Sequence, residues 1–203
     1  MYTYEGKPLI IGIAGGTASG KSTVASHLTR FGEQTRIFTT RDVLVKVALG
    51  RNLPTDKASL QNLFATLTAE TGDEAVLMTR LTPDVVRCTA PIVVIEGCRR
   101  LTDLTGLKRL SLEARRTLVL LYLDVPQILR FGRYNKRAQE RGERPMTESE
   151  FKQGESSKSE QELDALKKAF QKSGGLVIDN SWIPISRLER IVDNRLFEFS
   201  VHP

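Results

Sequence analysis

Eight consecutive residues near the start of the chain, Gly15-Gly16-Thr17-Ala18-Ser19-Gly20-Lys21-Ser22, match the spacing G-x-x-x-x-G-K-[ST] at every fixed position. That spacing suits the binding of a nucleoside triphosphate. Glycines let the backbone curl so that successive amide N–H groups point inward at phosphate oxygens. A helix following the loop adds its unpaired amides and positive dipole end, with Thr23 the next contact along. Lys21 is placed to reach the β- and γ-phosphates, and the Ser22 hydroxyl to ligate Mg²⁺. The competing reading, a glycine-rich turn with an accidental Gly-Lys-Ser, predicts no particular context. Here the motif lies between an apolar run, Leu9 to Ala14, and a helix with Val24, Leu28 and Phe31 on one stripe. ATP and Mg²⁺ are therefore the expected ligands.

Further residues are candidates by position. Glu96 closes the apolar run Ile92-Val-Val-Ile95, and an acidic group at the carboxyl end of a strand beside the loop can hold Mg²⁺ directly or through water; alternatively it is only solvated there. Arg99 and Arg100 follow, where the ligand crevice of a parallel sheet opens, one expected toward phosphate and the other toward solvent. Asp42 precedes an apolar-periodic run and reads equally as a helix N-cap or as a catalytic carboxylate. Arg133 and Arg137, four apart, share one helix face, and such residues are commonly only solubilising.

The elements that must carry these groups alternate between strand and helix, the pattern of an α/β fold with a parallel sheet covered on both faces. Leu9–Ala14, Arg36–Thr40, Pro91–Glu96, Thr117–Leu123 and Leu176–Ile178 read as five strands. Gly50 to Pro54 breaks the helix that Asp42 opens, and Leu60, Leu63, Phe64 and Leu67 follow the helical template closely. Asp124-Val-Pro126 reads as another helix start, and Ser186-Arg-Leu-Glu189 as a capping box opening the last helix. In that helix Arg195 is the one polar residue on the stripe. Residues 133–160 are polar and charged apart from Phe151, too poor in apolar groups for a core of their own. They read as a solvated loop or as a lid that closes on ligand.

The chain's 203 residues suit one domain, 1–203. Its hydrophobic and charged fractions, 40% and 27%, are those of an ordinary globular protein. Cys88 and Cys98 are too few for a disulfide framework, which points to a reducing, cytoplasmic compartment. Neither a secretory leader nor an apolar span of about 18 residues is visible, so no membrane partner is expected. The net charge of +6 points to anionic partners, and it concentrates between Arg130 and Arg144. With only 6% aromatic residues and no stacking motif among the basic ones, nucleic acid is the weaker reading. His27 and His202 lack metal-ligand spacing and read as structural or surface residues. Trp182 reads either as an anchor beside the nucleotide or as packing under the last helix.

Taken together, these stretches resemble the P-loop nucleoside monophosphate kinase superfamily from about Leu9 to Leu196, closest to dephospho-CoA-kinase-like and adenylate-kinase-like proteins. The phosphate loop is also similar to that of uridine kinases. Thr39-Thr40-Arg41-Asp42-Val43-Leu44 resembles the opening of the acceptor-binding region, and Ile95-Glu96-Gly97-Cys98-Arg99-Arg100 the end of the third strand. Arg130-Phe131-x-Arg133 with Lys136-Arg137 resembles a lid, and Val177-Ile178-Asp179-Asn180 the last strand and the loop that touches adenine. The resemblance implies a three-layer P-loop NTPase sandwich with sheet order 2-3-1-4-5, an acceptor-binding helical region over 41–85 and a lid over 133–160. It further implies acceptor contacts from Arg41, Arg99 and Arg100, catalytic roles for Lys21, Asp42, Arg133 and Arg137, and an adenine contact from Asn180. Valine at position 45 departs from adenylate kinases, where an arginine grips the acceptor phosphate; Arg41, Lys46, Arg99 or Arg100 would have to replace it. Asp42 matches the aspartate that serves a hydroxyl acceptor in dephospho-CoA kinases. The expected activity is transfer of the ATP γ-phosphate to a nucleotide-like acceptor, dephospho-CoA or a nucleoside monophosphate. The alternatives are a uridine-like nucleoside kinase and an ATP-binding regulatory or nucleic-acid-associated module.

Overall fold

Every residue of Leu9–Gly15 is buried, and this strand, β1, runs down the centre of the sheet. The computed structural model describes residues 3–155 and 162–200. Four further strands, β2 (Thr35–Thr39), β3 (Ile92–Cys98), β4 (Thr117–Asp124) and β5 (Leu176–Asp179), complete an all-parallel sheet in the order β2-β3-β1-β4-β5. The central strands are continuous apolar runs because helices cover both faces and no side of the sheet meets water.

Among the described residues nine helices are assigned: α1 (Lys21–Leu28), α2 (Thr40–Gly50), α3 (Lys57–Thr71), α4 (Val76–Arg87), α5 (Leu101–Glu113), α6 (Gln127–Glu140), α7 (Glu148–Glu155), α8 (Leu163–Lys172) and α9 (Ile185–Ser200). On one face Val24 and Leu28 of α1 meet Leu188, Val192 and Leu196 of α9 over Ile11, Ile13 and Leu121. On the other, Leu81 of α4, Leu107 of α5 and Phe170 of α8 pack over Ile10, Val93 and Leu120. A third cluster joins α2, α3 and α4 through Ala48, Leu63, Leu67 and Val76. It gives these three helices a shared core in addition to the two on the faces of the sheet.

Several local expectations change. β3 continues past Glu96, and the pairing of β1 skips from Ile13↔Glu96 to Ala14↔Cys98. Gly97, at φ +102°, takes up the irregularity, a conformation that favours glycine. Phe31 lies beyond the end of α1 in a 3-10 segment, Thr29–Gln34. The helix N-cap is Thr39, not Asp42: the Thr39 hydroxyl accepts from the Asp42 amide at 2.9 Å. The pair Thr39-x-x-Asp42 is itself a capping pattern visible in sequence. At α9 no Ser186–Glu189 capping box forms; the Arg187 and Leu188 amides donate to the Pro184 carbonyl, and Glu189 turns to His27. Arg195 leaves the apolar stripe by donating to the Gly174 carbonyl at 2.8 Å and lying over Phe199. Trp182 is 81% exposed, so it does not pack under the last helix.

The largest difference lies in residues 133–160, of which 156–160 fall outside the described residues. The rest is largely helical and anchored. α6 runs on to Glu140, and α7 opens at a reciprocal cap in which the Thr147 amide donates to Glu150 at 2.7 Å and the Glu150 amide to the Thr147 hydroxyl at 3.2 Å. Phe151 is buried against the rings of Phe131 and Tyr134, with centroids 5.6 and 5.8 Å away. One phenylalanine suffices because the neighbouring helix supplies the aromatic surface. α4 was obscured by Pro83, which sits inside it, and α8 by its many charges, although Leu163, Leu166 and Phe170 share a buried face.

Candidate functional site

The phosphate-loop motif forms the turn between β1 and α1. Gly15 at φ +137° and Gly20 at φ +104° adopt backbone that disfavours a side chain, which is why glycines hold these two places. The Lys21 ammonium donates to the Gly15 and Gly16 carbonyls, both at 2.8 Å, and so folds back over the loop. Asn180, buried behind it, donates its amide to the Ser19 carbonyl at 2.8 Å. The Arg133 guanidinium donates to the carbonyls of Asn180 and Ser181 at 2.7 and 2.9 Å, joining α6 to the loop after β5. Burial and the neighbouring Arg137 both lower its affinity for a proton, burial the more.

Ser22 and Glu96 meet at the mouth of this loop: the Ser22 hydroxyl donates to Glu96 Oε1 at 2.8 Å. A hydroxyl and one carboxylate beside a phosphate loop fit Mg²⁺, which keeps most of its water and takes few protein ligands. Among the described residues no group of three or more His, Cys, Asp or Glu side chains could hold a metal by itself. His27 is structural, bonded through Nε2 to Asp193 at 2.8 Å and lying 3.3 Å from Glu189.

Beyond the loop opens a cavity of about 700 Å³. Thr17, Lys21, Ser22 and Glu96 line it together with Arg41, Asp42 and Arg100, and Leu44, Leu60, Phe64 and Leu77 contribute apolar lining. Tyr134, Phe151 and Glu155 of α6 and α7 also line it. Asp42, in the first turn of α2, is exposed to this space, and Arg41 beside it donates weakly to the Thr55 carbonyl at 3.5 Å. Arg99 reaches Thr17 of the loop at 3.5 Å. Arg100 lies flat over the Phe64 ring, 3.7 Å from its centroid. Burial is the largest influence on the Arg100 guanidinium and lowers its proton affinity. Both arginines line the cavity, so neither is simply a solvent-facing side chain. Asp103 anchors the pair from below by accepting from their backbone amides at 2.8 and 3.0 Å. Burial raises its carboxyl pKa, opposed by those two hydrogen bonds.

The structure thus brings Lys21, Ser22, Glu96, Asp42, Arg41, Arg99 and Arg100 around one space. Arg133, Arg137 and Asn180 do not line it. Contributors outside the sequence-based set include Phe64, Tyr134 and Glu155, the last paired with Arg130.

No protein-family model matches this sequence, and no curated protein matches it. Solved structures do. A candidate kinase from Chloroflexus aurantiacus J-10-fl superposes with a TM-score of 0.59 at 13% identity, over 96% of this chain and 98% of that one. TT1252 from Thermus thermophilus gives 0.61 at 20% identity, over 95% and 98%. A gluconokinase from Sinorhizobium meliloti 1021 gives 0.55 at 14% identity, over 98% and 95%. The chain shares the fold of these structures, an α/β sandwich around a parallel sheet with the phosphate-loop motif after its central strand. In such a fold the carboxyl ends of the strands face the ligands, and the cavity described above opens there. Among the described residues no helix is long and apolar enough to cross a membrane.

Proposed function

We propose that the protein transfers the γ-phosphoryl group of ATP to a small, nucleotide-like acceptor held in the cavity over α2–α4. The observation that carries this reading is the shared cavity, lined by Lys21 and the Ser22–Glu96 pair and also by Asp42, Arg100 and an apolar group of Leu44, Leu60, Phe64 and Leu77. Mg²⁺, held by Ser22 and Glu96, would neutralise charge on the β- and γ-phosphates. Lys21 adds a second positive charge there. Asp42 is positioned to take the proton of an acceptor hydroxyl as its oxygen attacks the γ-phosphorus and ADP departs.

The cavity's lining also bears on the acceptor. Leu44, Leu60, Phe64 and Leu77 suit an apolar or planar body better than a polyol. Arg100, stacked on Phe64 inside the cavity, suits an anionic group on the same molecule. A nucleotide-like acceptor has both; a plain nucleoside lacks the anion. Dephospho-CoA and the nucleoside monophosphates are the first choices, with Asp42 favouring a hydroxyl. The test is an acceptor panel of dephospho-CoA, ribo- and deoxyribonucleoside monophosphates, nucleosides and gluconate, with the product identified by mass. Phosphorylation of gluconate or of a nucleoside alone would overturn the nucleotide-like assignment.

The metal assignment has its own test. Glu96→Gln keeps a hydrogen-bond acceptor for Ser22 but removes the charge. The Mg²⁺ concentration that half-saturates nucleotide binding is expected to rise by roughly tenfold or more. An unchanged Mg²⁺ titration would leave Glu96 as a strand-end carboxylate only.

A further inference from the structure

Arg130 is 8% exposed, although it carries a charge and stands on a helix of polar residues. Its Nε donates to the Val125 carbonyl at 3.0 Å, and its guanidinium lies against the phosphate loop, 3.5 Å from the Thr17 carbonyl. The contact is close: a Cβ added to Gly16 would come within 2.6 Å of this guanidinium. The remaining nitrogen pairs with Glu155 of α7, and both side chains of that pair are 10% exposed. Glu155 also lines the cavity together with Lys21 and Ser22. A carboxylate therefore stands inside the site expected to receive a triphosphate, neutralising a guanidinium that touches the loop.

We propose that Glu155 is a built-in anion that competes with the nucleotide for Arg130. Phosphate oxygens and a carboxylate use the same in-plane N–H donors of a guanidinium, so one excludes the other at that edge. If the carboxylate remained in place beside the phosphates, the like charges would repel strongly in so enclosed a site. Arrival of the triphosphate therefore requires Glu155 to leave. Glu155 is four residues from Phe151, on the same face of α7. Its departure loosens the face that also holds Phe151 between Phe131 and Tyr134. Nucleotide binding and undocking of α7 are thus one coupled equilibrium. Docked α7 acts as an internal competitor whose effect on nucleotide affinity equals the effect of nucleotide on α7 docking.

This inference rests on the nucleotide reading of the loop but not on the identity of the acceptor. Its test is binding, with Mg²⁺ and a non-hydrolysable ATP analogue, by calorimetry. Glu155→Gln keeps the size and removes the competing charge; the analogue is expected to bind on the order of tenfold tighter than to the parent. In the parent, hydrogen exchange of the peptides covering 148–155 is expected to speed up when the analogue is added. This second measurement needs no substitution, so it decides the matter if the variant folds poorly. Unchanged or weaker binding by Glu155→Gln, or α7 exchange that slows with nucleotide, overturns the competition and leaves a structural ion pair or a contact that assists the ligand. If parent and variant alike fail to bind the analogue, the nucleotide assignment itself falls, and this inference with it.

Discussion

Lys21→Ala is expected to lower turnover by on the order of 10³-fold, as for loss of a principal charge-stabilising donor in a water-poor site. The lysine follows Gly20 at the first position of α1, and its ammonium is held over the loop by the Gly15 and Gly16 carbonyls. The hydrogen bonds hold a single positive charge where a triphosphate would place its most negative oxygens. The variant loses two hydrogen bonds, worth about 1 kcal/mol each. In a domain of this size each kcal/mol shifts the melting temperature by about 2–4 °C. A folded protein a few degrees less stable and nearly inactive is the expected result, read by steady-state turnover and thermal unfolding together. Near-parental turnover would remove the phosphate loop from the chemistry.

Asp42→Asn is expected to reduce turnover by on the order of 10²-fold or more on a hydroxyl acceptor, with ATP binding unchanged. A ribose-type hydroxyl is far from ionised at neutral pH, so a carboxylate that accepts its proton contributes directly to the barrier. A monophosphate oxygen is already anionic and needs no such base. The structure sharpens this test. Because Thr39 is the helix cap, Asp42 supplies α2 only a backbone amide to that cap and a negative charge in the first turn. Removing the charge costs about 0.3–1 kcal/mol of helix-dipole stabilisation, too little to disturb the fold. A large fall in turnover without a change in unfolding therefore identifies a base. Rates within a few-fold of the parent would assign Asp42 to helix electrostatics and the acceptor to the monophosphates.

The phosphate loop was legible in the sequence because its chemistry is local. Gly15 to Ser22 are consecutive, and one turn between a strand and a helix presents them all. The strands were legible for a related reason: a parallel sheet buried on both faces demands uninterrupted apolar runs, and Leu9–Gly15 and Thr117–Asp124 supply them. Ser22 and Glu96, 74 positions apart, could both be singled out in the sequence, Ser22 by its place in the loop motif and Glu96 by its place near the carboxyl end of an apolar strand, and the fold brings them within hydrogen-bond distance.

Tertiary structure alone decided which charges share a space. Asn180 braces Ser19 across 161 positions, Arg133 turns to the loop after β5, and Arg100 settles on Phe64. Residues 133–160 show the limit most clearly. Composition there indicates a segment without a core, yet Phe151 finds one on Phe131 and Tyr134, and Glu155 finds the guanidinium of Arg130. Hydrophobic periodicity reports how a helix is solvated, not which partner it meets. A polar residue becomes a site residue only through the company that packing gives it. In this chain the sequence determined the phosphate loop and the strands that present it, while packing decided the cavity beyond the loop and the ion pair beside it.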